Sequence, residues 1–425
     1  MKRLEDPGSL LASFAPGTTV VLHSGFAEPR ALALALAQHA PSMRGVRIVS
    51  MMPMGAAPYA ELGPASYLDL YTFFPGRGLR HALDAGRARA LRYPLSAIPG
   101  LFDASKWRAD ALLLQVSRPD ENGHVSLGIS VDYMRAALAQ RPLVIAEINP
   151  LMPHTCGDTR LPVSAIDWFI EAVDAPQNAM PAPADAVDEQ IARNVAGLVD
   201  DGAVLQLGIG SLPDRVAANL GHLPRLGLHS GIVTDALRFL MEDGALDNST
   251  KRFKPGVCVT SMAGGSQSFY DFLHRNALVE FHPCSMTHGV QVLAGIDGLC
   301  AINSALQVDL RGNVNAETAG GRQISLPGGL PDFATGARRA RGGRSILALR
   351  STAGKKAASN IVMNLDGGTQ TLVANQVDYV VTEYGVASLH GGDAAARAAA
   401  LVAIAHPDHR ESLAGQARAL TANEM

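Results

Sequence analysis

Cysteine is scarce in this chain. Four residues, Cys156, Cys258, Cys284 and Cys300, are spread over 425 positions, and no two stand in a CxxC spacing. That argues against a disulfide framework and against a zinc site, and reduced thiols in a cytoplasmic setting fit better. Charge of one sign is lacking too. Lys and Arg number 36 against 39 Asp and Glu, a formal net charge of −3, so no broad field draws the chain to nucleic acid or an anionic membrane. Long apolar runs are missing: Pro, Gly or a charge breaks every stretch before the roughly 18 residues that a membrane span needs. The first residues, MKRLEDPGSLLASF, make a poor signal peptide, because acidic residues interrupt the start and the apolar run is short. Aromatics are only 5% of the chain, too few to sketch a pocket from sequence. What is present is an ordinary globular composition, 47% apolar and 18% charged, with 42 glycines. The length allows two or three domains, and the glycines forecast tight turns and close backbone approaches.

The chain echoes itself. PGTTVVLHSGFAEP (16–29) and DGAVLQLGIGSLP (201–213) both read as turn, β-type run, small-residue Gly loop and Pro. An apolar-periodic stretch follows each, ALALALAQHA in one case and DRVAANLGHL in the other. That is the grammar of strand, glycine turn and helix. DALLLQVSRPDENGHVSLG (110–128) is matched by AINSALQVDLRGNVNAETAG (301–320), and LVIAEINP (143–150) by SILALRST (345–352). The three echoes come in order, about 185 to 200 residues apart, which predicts two similar α/β halves. The seam falls in the Pro- and Ala-rich stretch 174–192, giving domains of residues 1–180 and 185–425. A helix is expected from near Val187, with Ile191, Val195 and Leu198 on one stripe. Two α/β halves commonly form a ligand cleft where they meet.

Several segments could carry chemistry. In GIGSLPD (208–214), Gly208 and Gly210 let backbone N–H groups approach a ligand, and the following helix points its positive end at an anion. The third Gly of a dinucleotide fingerprint is absent, so a plain strand–helix turn explains the loop equally well. Residues 303–322 pack Asn303, Asp309, Asn313, Asn315 and Glu317 into a Gly-broken strand region. Such polar density must be solvated, mutually hydrogen-bonded or functional. The Pro–Gly–Gly turn at 327–329, followed by Arg338, Arg339, Arg341 and Arg344, suits a phosphate-bearing ligand or, equally, a solvated basic face. Glu383 ends a β-branched run. His406 and His409 read as turn and cap residues. His229, Ser230 and Asp235 lie too close in sequence for a catalytic triad, whose members converge from separate segments.

Taken together, these segments resemble the acetyl-CoA hydrolase/transferase family, which includes 4-hydroxybutyrate and acetate CoA-transferases. The likeness runs from about residue 15 to 415. It rests on SRPDENGHVSLGISVDY, AEINPLMPHTCGD, GIGSLPD, INSALQVDLRGNVNAE, PGGLPDFATGA, VVTEYGVASLHG and IAHPDHRE. The resemblance implies two similar open α/β domains of the CoA-transferase type with a cleft between them. It also implies acyl-CoA as substrate with a small carboxylate as acceptor, a homodimer or higher homo-oligomer, and no metal or redox cofactor. In the family a glutamate attacks the thioester and forms an acyl-glutamyl anhydride, while a glycine-rich loop of the GVGGQ type supplies backbone donors to the oxyanion.

Two departures fall at the reacting centre. The nucleophilic Glu follows a His–Ser or His–Thr pair in the family, whereas His229–Ser230 is followed here by Gly231. The glycine-rich loop reads Leu326–Pro327–Gly328–Gly329–Leu330–Pro331–Asp332–Phe333, with Leu330 in place of the usual Gln. Three readings stay open. A displaced carboxylate could serve a transferase, with Glu317 first and Glu383 and Glu147 behind it. Water could enter where the Glu side chain is missing, activated by Glu317, His229 or Asp235, to make a hydrolase. Or the chain binds acyl-CoA as a partner or regulatory homologue without catalysis. Gly208, Gly210, Gly328, Gly329 and Asp332 are the expected coenzyme A contacts.

Overall fold

The computed structural model describes residues 1–61, 67–103, 106–179 and 185–422. The middle of the expected linker, 180–184, lies outside them. Contacts divide the chain into two compact units. The first holds residues 1–180 and 259–287, the second 181–258 and 288–425. The chain thus leaves the second unit once, for residues 259–287, and returns.

The first unit is built on an eight-stranded sheet in which every neighbouring pair is parallel. Its central strands are β1 (Thr19–Leu22), β2 (Arg47–Ser50), β3 (Ala111–Val116), β4 (Leu143–Ile148) and β5 (Trp168–Glu171). Side by side they run β5-β4-β3-β1-β2. All of β1 and β3 is buried, which is why these strands read as continuous apolar runs without alternation. Helix α1 (Arg30–His39) follows Pro29 and buries Leu32, Ala33 and Leu36 against the sheet.

The second unit carries a six-stranded sheet. Its strands β6 (Val204–Leu207), β7 (Gly227–Leu228), β8 (Leu299–Ser304), β9 (Arg344–Ala348) and β10 (Tyr379–Thr382) run β10-β9-β8-β6-β7. That is the order of the first unit, strand for strand. The three sequence echoes are β1 with β6, β3 with β8, and β4 with β9, each pair in the same place of its sheet. The pairs among these five strands are parallel, and an edge strand, Gly385–Ser388, turns back antiparallel on β10.

Local signals explain the helix starts. Asp185 caps the helix Ala186–Ala196 by accepting from the Val187 and Asp188 N–H groups, and Ile191 and Val195 face the core. Such a cap contributes about 1 kcal/mol. The apolar stripe outlasts the helix, since Leu198 lies beyond its end. Helix α2 (Ser211–Ala218) begins two residues before Pro213, not after it. Gly210, at φ +123°, turns the chain into that helix, a conformation that only glycine adopts without strain. No disulfide joins any of the four cysteines. No helix among the described residues is long and apolar enough to cross a membrane.

Candidate active site

The second unit brings its glycine loops to the carboxyl ends of adjacent parallel strands. β6 and β7 pair in register, Val204 with Gly227 and Leu205 with Leu228. The His229 N–H extends the ladder to the Leu205 carbonyl, and Ser230 Oγ donates to the Leu207 carbonyl at 2.9 Å. The chain beyond β6 enters the Gly208–Gly210 loop, and the chain beyond β7 reaches Gly231. In open parallel sheets this end of the strands is where ligands bind. Thr234 Oγ1 donates to Asp214 at 3.0 Å and ties the two loops together. Burial, the largest influence, raises the Asp214 pKa.

Gly231 is not a vacancy. A Cβ built there would lie 2.5 Å from Nε2 of His288 and 2.9 Å from its Cε1, with Phe333 Cε2 next at 3.5 Å. The same ring crowds the Pro–Gly–Gly turn: a Cβ on Gly329 would lie 2.7 Å from Cδ2 and 2.8 Å from Nε2. Neither glycine has a positive φ. Both are glycines because an imidazole stands against them, not because the backbone demands it. Gly328, at φ +57°, is the one member of the turn whose conformation calls for glycine.

The position of His288 follows from helix packing. Helix α3 (Val290–Ala294) begins two residues after it, and helix α4 (Leu330–Arg339) follows the Pro–Gly–Gly turn. Gly336 lets these helices close up, since a Cβ on it would come within 2.3 Å of Leu293 Cβ. Phe333, one turn before Gly336, meets the His288 ring edge-on at 4.9 Å between centroids. Only 2% of His288 is exposed, and burial pushes its pKa down to about 3. The imidazole is therefore neutral throughout the physiological range.

The residues expected to act fall into different surroundings. Glu317 is fully buried. Its N–H donates to Asn315 Oδ1, and its carbonyl accepts from Ile324 and Ser325. His229 is also fully buried, its ring 6.1 Å from that of Phe253. Asp235 opens the helix Asp235–Glu242. Asp332 is buried in the first turn of α4. Glu383 accepts from the Ser351 N–H and hydroxyl, and Glu147 from the N–H groups of Ala31 and Leu32 at the start of α1.

Much of the polar density around 303–322 is mutual hydrogen bonding. Asp309 gathers the N–H groups of Arg311 and Asn313, and Asn303 exchanges two bonds with Gln206. The arginines after the Pro–Gly–Gly turn are mostly held by acids. Arg338 pairs with Asp378, Arg341 with Asp297 and Arg344 with Asp200. Arg339, which is exposed, is the one of the four without such a pair among the described residues, so the expected basic cradle for phosphate shrinks to one side chain. His406 accepts from the Asp408 N–H, the local role expected of it, whereas the His409 ring bonds the Ala357 carbonyl 52 residues away, a long-range contact and not the turn or cap role expected.

Sequence reasoning missed His288. Its motif, THGV, is unremarkable, and its partners Gly231 and Gly329 lie far away along the chain. It also missed a buried carboxyl in the first unit. Tyr59 Oη donates to Glu28 Oε1 at 2.6 Å, while Oε2 lies 3.4 Å from the Cβ point of Gly55. Gly55, Arg77, His81 and Gln177 line a cavity of about 410 Å³ there. Burial raises the Glu28 pKa to about 7 and does the same to Glu147. Among the described residues no cluster of His, Cys, Asp and Glu could hold a metal ion.

Comparison with known proteins agrees with this architecture. The acetyl-CoA hydrolase/transferase N-terminal domain matches residues 1–181, and the C-terminal domain of the same family matches 265–417. The 4-hydroxybutyrate coenzyme A transferase of Clostridium kluyveri is 40% identical over 395 residues, 93% of this chain and 92% of that protein. Among solved structures, RipA from Yersinia pestis superposes with a TM-score of 0.91 at 28% identity, covering 99% of this chain and 98% of RipA. The 4-hydroxybutyrate CoA-transferase of Porphyromonas gingivalis gives 0.83 at 32% identity, covering 98% and 97%. With both family domains matched and such identity over nearly its whole length, the chain belongs to the acetyl-CoA hydrolase/transferase family.

Proposed function

We propose that this protein cleaves a short acyl thioester of coenzyme A with water as the acceptor, an acyl-CoA hydrolase within its family. One observation carries the reading. The point where the side chain of a nucleophilic glutamate would leave the backbone at residue 231 is filled by the His288 ring. Without a carboxylate there, no acyl-glutamyl anhydride forms at that residue, and the thioester must be attacked directly. Gly208, Gly210, Gly328, Gly329 and Asp332 are the proposed coenzyme A contacts. The backbone N–H groups of the Pro–Gly–Gly turn would receive the oxyanion, a type of stabilisation worth about 3–4 kcal/mol per donor. Glu317, His229 and Asp235 are the bases considered from sequence. The chemistry draws on the chain's own residues and coenzyme A as part of the substrate, with no metal or redox cofactor. A cytoplasmic homodimer or higher homo-oligomer completes the proposal.

A second reading keeps the transferase activity named for the C. kluyveri relative, with a small carboxylate as acceptor and Glu317 as the displaced nucleophile. It is favoured by that 40% identity and opposed by geometry, since about 1 Å of misplacement costs on the order of a hundredfold. One experiment separates the readings. The protein is incubated with a panel of short acyl-CoAs, with and without acetate, while free thiol and the masses of the CoA esters are followed. Thiol release without acetate supports the hydrolase. A new acetyl-CoA mass that needs acetate, without thiol release, supports the transferase. Binding without either product leaves an inactive acyl-CoA-binding homologue.

A further inference from the structure

We propose that the cavity beside Glu28, within the first unit, binds a short hydroxycarboxylate, with the carboxylate at its rim and the hydroxyl at its floor. This holds whichever way the thioester is cleaved.

The walls of the cavity are two chain segments locked against each other. A Cβ on Gly78 would come within 2.6 Å of the Gly55 carbonyl oxygen and 2.7 Å of Ala57 Cβ. A Cβ on Gly76 would come within 2.1 Å of the Pro53 carbonyl oxygen. Met52 and Ala57, at φ +53° and +45°, hold left-handed conformations. Non-glycine residues keep these only where their surroundings impose them, and such strain gathers at ligand clamps. The cavity is thus shaped in advance, and its volume of about 410 Å³ is that of a small-molecule site.

Its polar groups are graded with burial. Arg77, His81 and Glu61 are exposed and form the rim. Among the described residues neither Arg77 nor His81 has an ion-pair partner, and a guanidinium is well matched to a carboxylate. With Glu61 opposing them, the two bases offer at most one net positive charge, which suits a single carboxylate and not a polyphosphate. Ala60 and Ala82, both buried, line the cavity further in and suit a short carbon chain. Gly55 has no side chain to cover what lies behind it. The point where its Cβ would sit is 3.4 Å from Glu28 Oε2 and 3.5 Å from Gln177 Oε1. Tyr59 already donates to Glu28 Oε1. The proton that burial keeps on this carboxyl up to about pH 7 therefore falls to Oε2. The other charges felt by Glu28 are those of Arg30 and Glu147. A hydroxyl can accept from Oε2 and donate to Gln177 Oε1 at once. A carboxylate in that place would have no proton to give Gln177 Oε1, so the charged end belongs at the rim.

The test uses the full chain at pH 6, without coenzyme A. The ω-hydroxy acids of two to five carbons are titrated by calorimetry, beside the plain acids and the diols of the same lengths. One hydroxy acid should bind, with its matching acid and diol about tenfold weaker or more. Arg77→Gln should weaken that hydroxy acid about tenfold and leave the diol unchanged, since the guanidinium reads only the carboxylate. Gly55→Ala places a methyl at ordinary contact distance from both oxygens, so the fold tolerates it. It should cancel the preference for the hydroxy acid over the plain acid. An acid held elsewhere on the chain would be indifferent to both substitutions. Failure of every hydroxy acid to bind the wild type, or binding that neither variant changes, overturns the assignment. The readout is binding alone, so failure of the hydrolase reading leaves it untouched.

Discussion

His288 Nε2 lies 2.5 Å from the point where a β-carbon on Gly231 would sit. A glutamate at 231 and this imidazole exclude one another unless the ring moves. The room that any side chain at 231 would need is therefore already taken by a second residue.

Gly231→Glu alone should not restore covalent catalysis. Forcing the side chain against a buried ring should cost about 1–3 kcal/mol of stability, readable as a lower melting temperature. With His288→Ala in the same chain, much of that loss should return. The double variant should also accumulate a glutamyl-CoA adduct visible by intact mass. An adduct in the single variant would show that the ring yields easily.

Acid should weaken the fold through His288. Its folded pKa, about 3, lies below the unfolded value near 6.5. Between those values the unfolded chain binds the extra proton, so stability falls as pH drops from about 6.5 towards 3. The loss is on the order of 4–5 kcal/mol at the lower end. Denaturant titrations of wild type and His288→Gln across that range should diverge, the variant declining less. Parallel curves would refute the burial argument.

Glu28 should act in the opposite sense. Its folded pKa of about 7 lies above the usual carboxylate value, so the folded state holds the proton longer than the unfolded one. Stability from this group is full below about pH 4.3 and is lost as pH rises through 7. Glu28→Gln keeps an acceptor for Tyr59 and removes the charge. It should be more stable than wild type at pH 8, by about 3–4 kcal/mol. A variant less stable at pH 8 would mean that the carboxylate is better solvated from the cavity than its burial suggests.

Gly336→Ala should disturb the site without touching it. The added methyl meets Leu293 and should cost about 1–3 kcal/mol by overpacking. It should also lower thioester cleavage, because α3 and α4 together seat His288 against Gly329. Leu293→Ala in the same chain should relieve part of both effects, a coupling measured by a double-mutant cycle. Additive losses would uncouple the helix contact from the site.

The two-unit α/β plan was legible along the chain because parallel strands buried on both faces need continuous apolar runs. Those runs recur in order at 19–22 and 204–207, at 111–116 and 299–304, and at 143–148 and 344–348. The departure at Gly231 was legible as well, since it follows His229–Ser230 directly in the sequence. The excursion of residues 259–287 into the first unit was not, because a contact partition leaves no periodic mark on the sequence.

By itself, then, the sequence determined the recurring apolar runs, the two like α/β halves, the family and the absence of a glutamate at 231. Each is written in neighbouring residues or in repeated local pattern. Only the tertiary structure decided what stands in that glutamate's place. Gly231, His288, Gly329 and Gly336 belong to separate segments, and nothing local marks them as partners. Helix packing through Gly336 and the approach of α4 to His288 bring them together, and that close approach is what makes glycine necessary at 231 and 329.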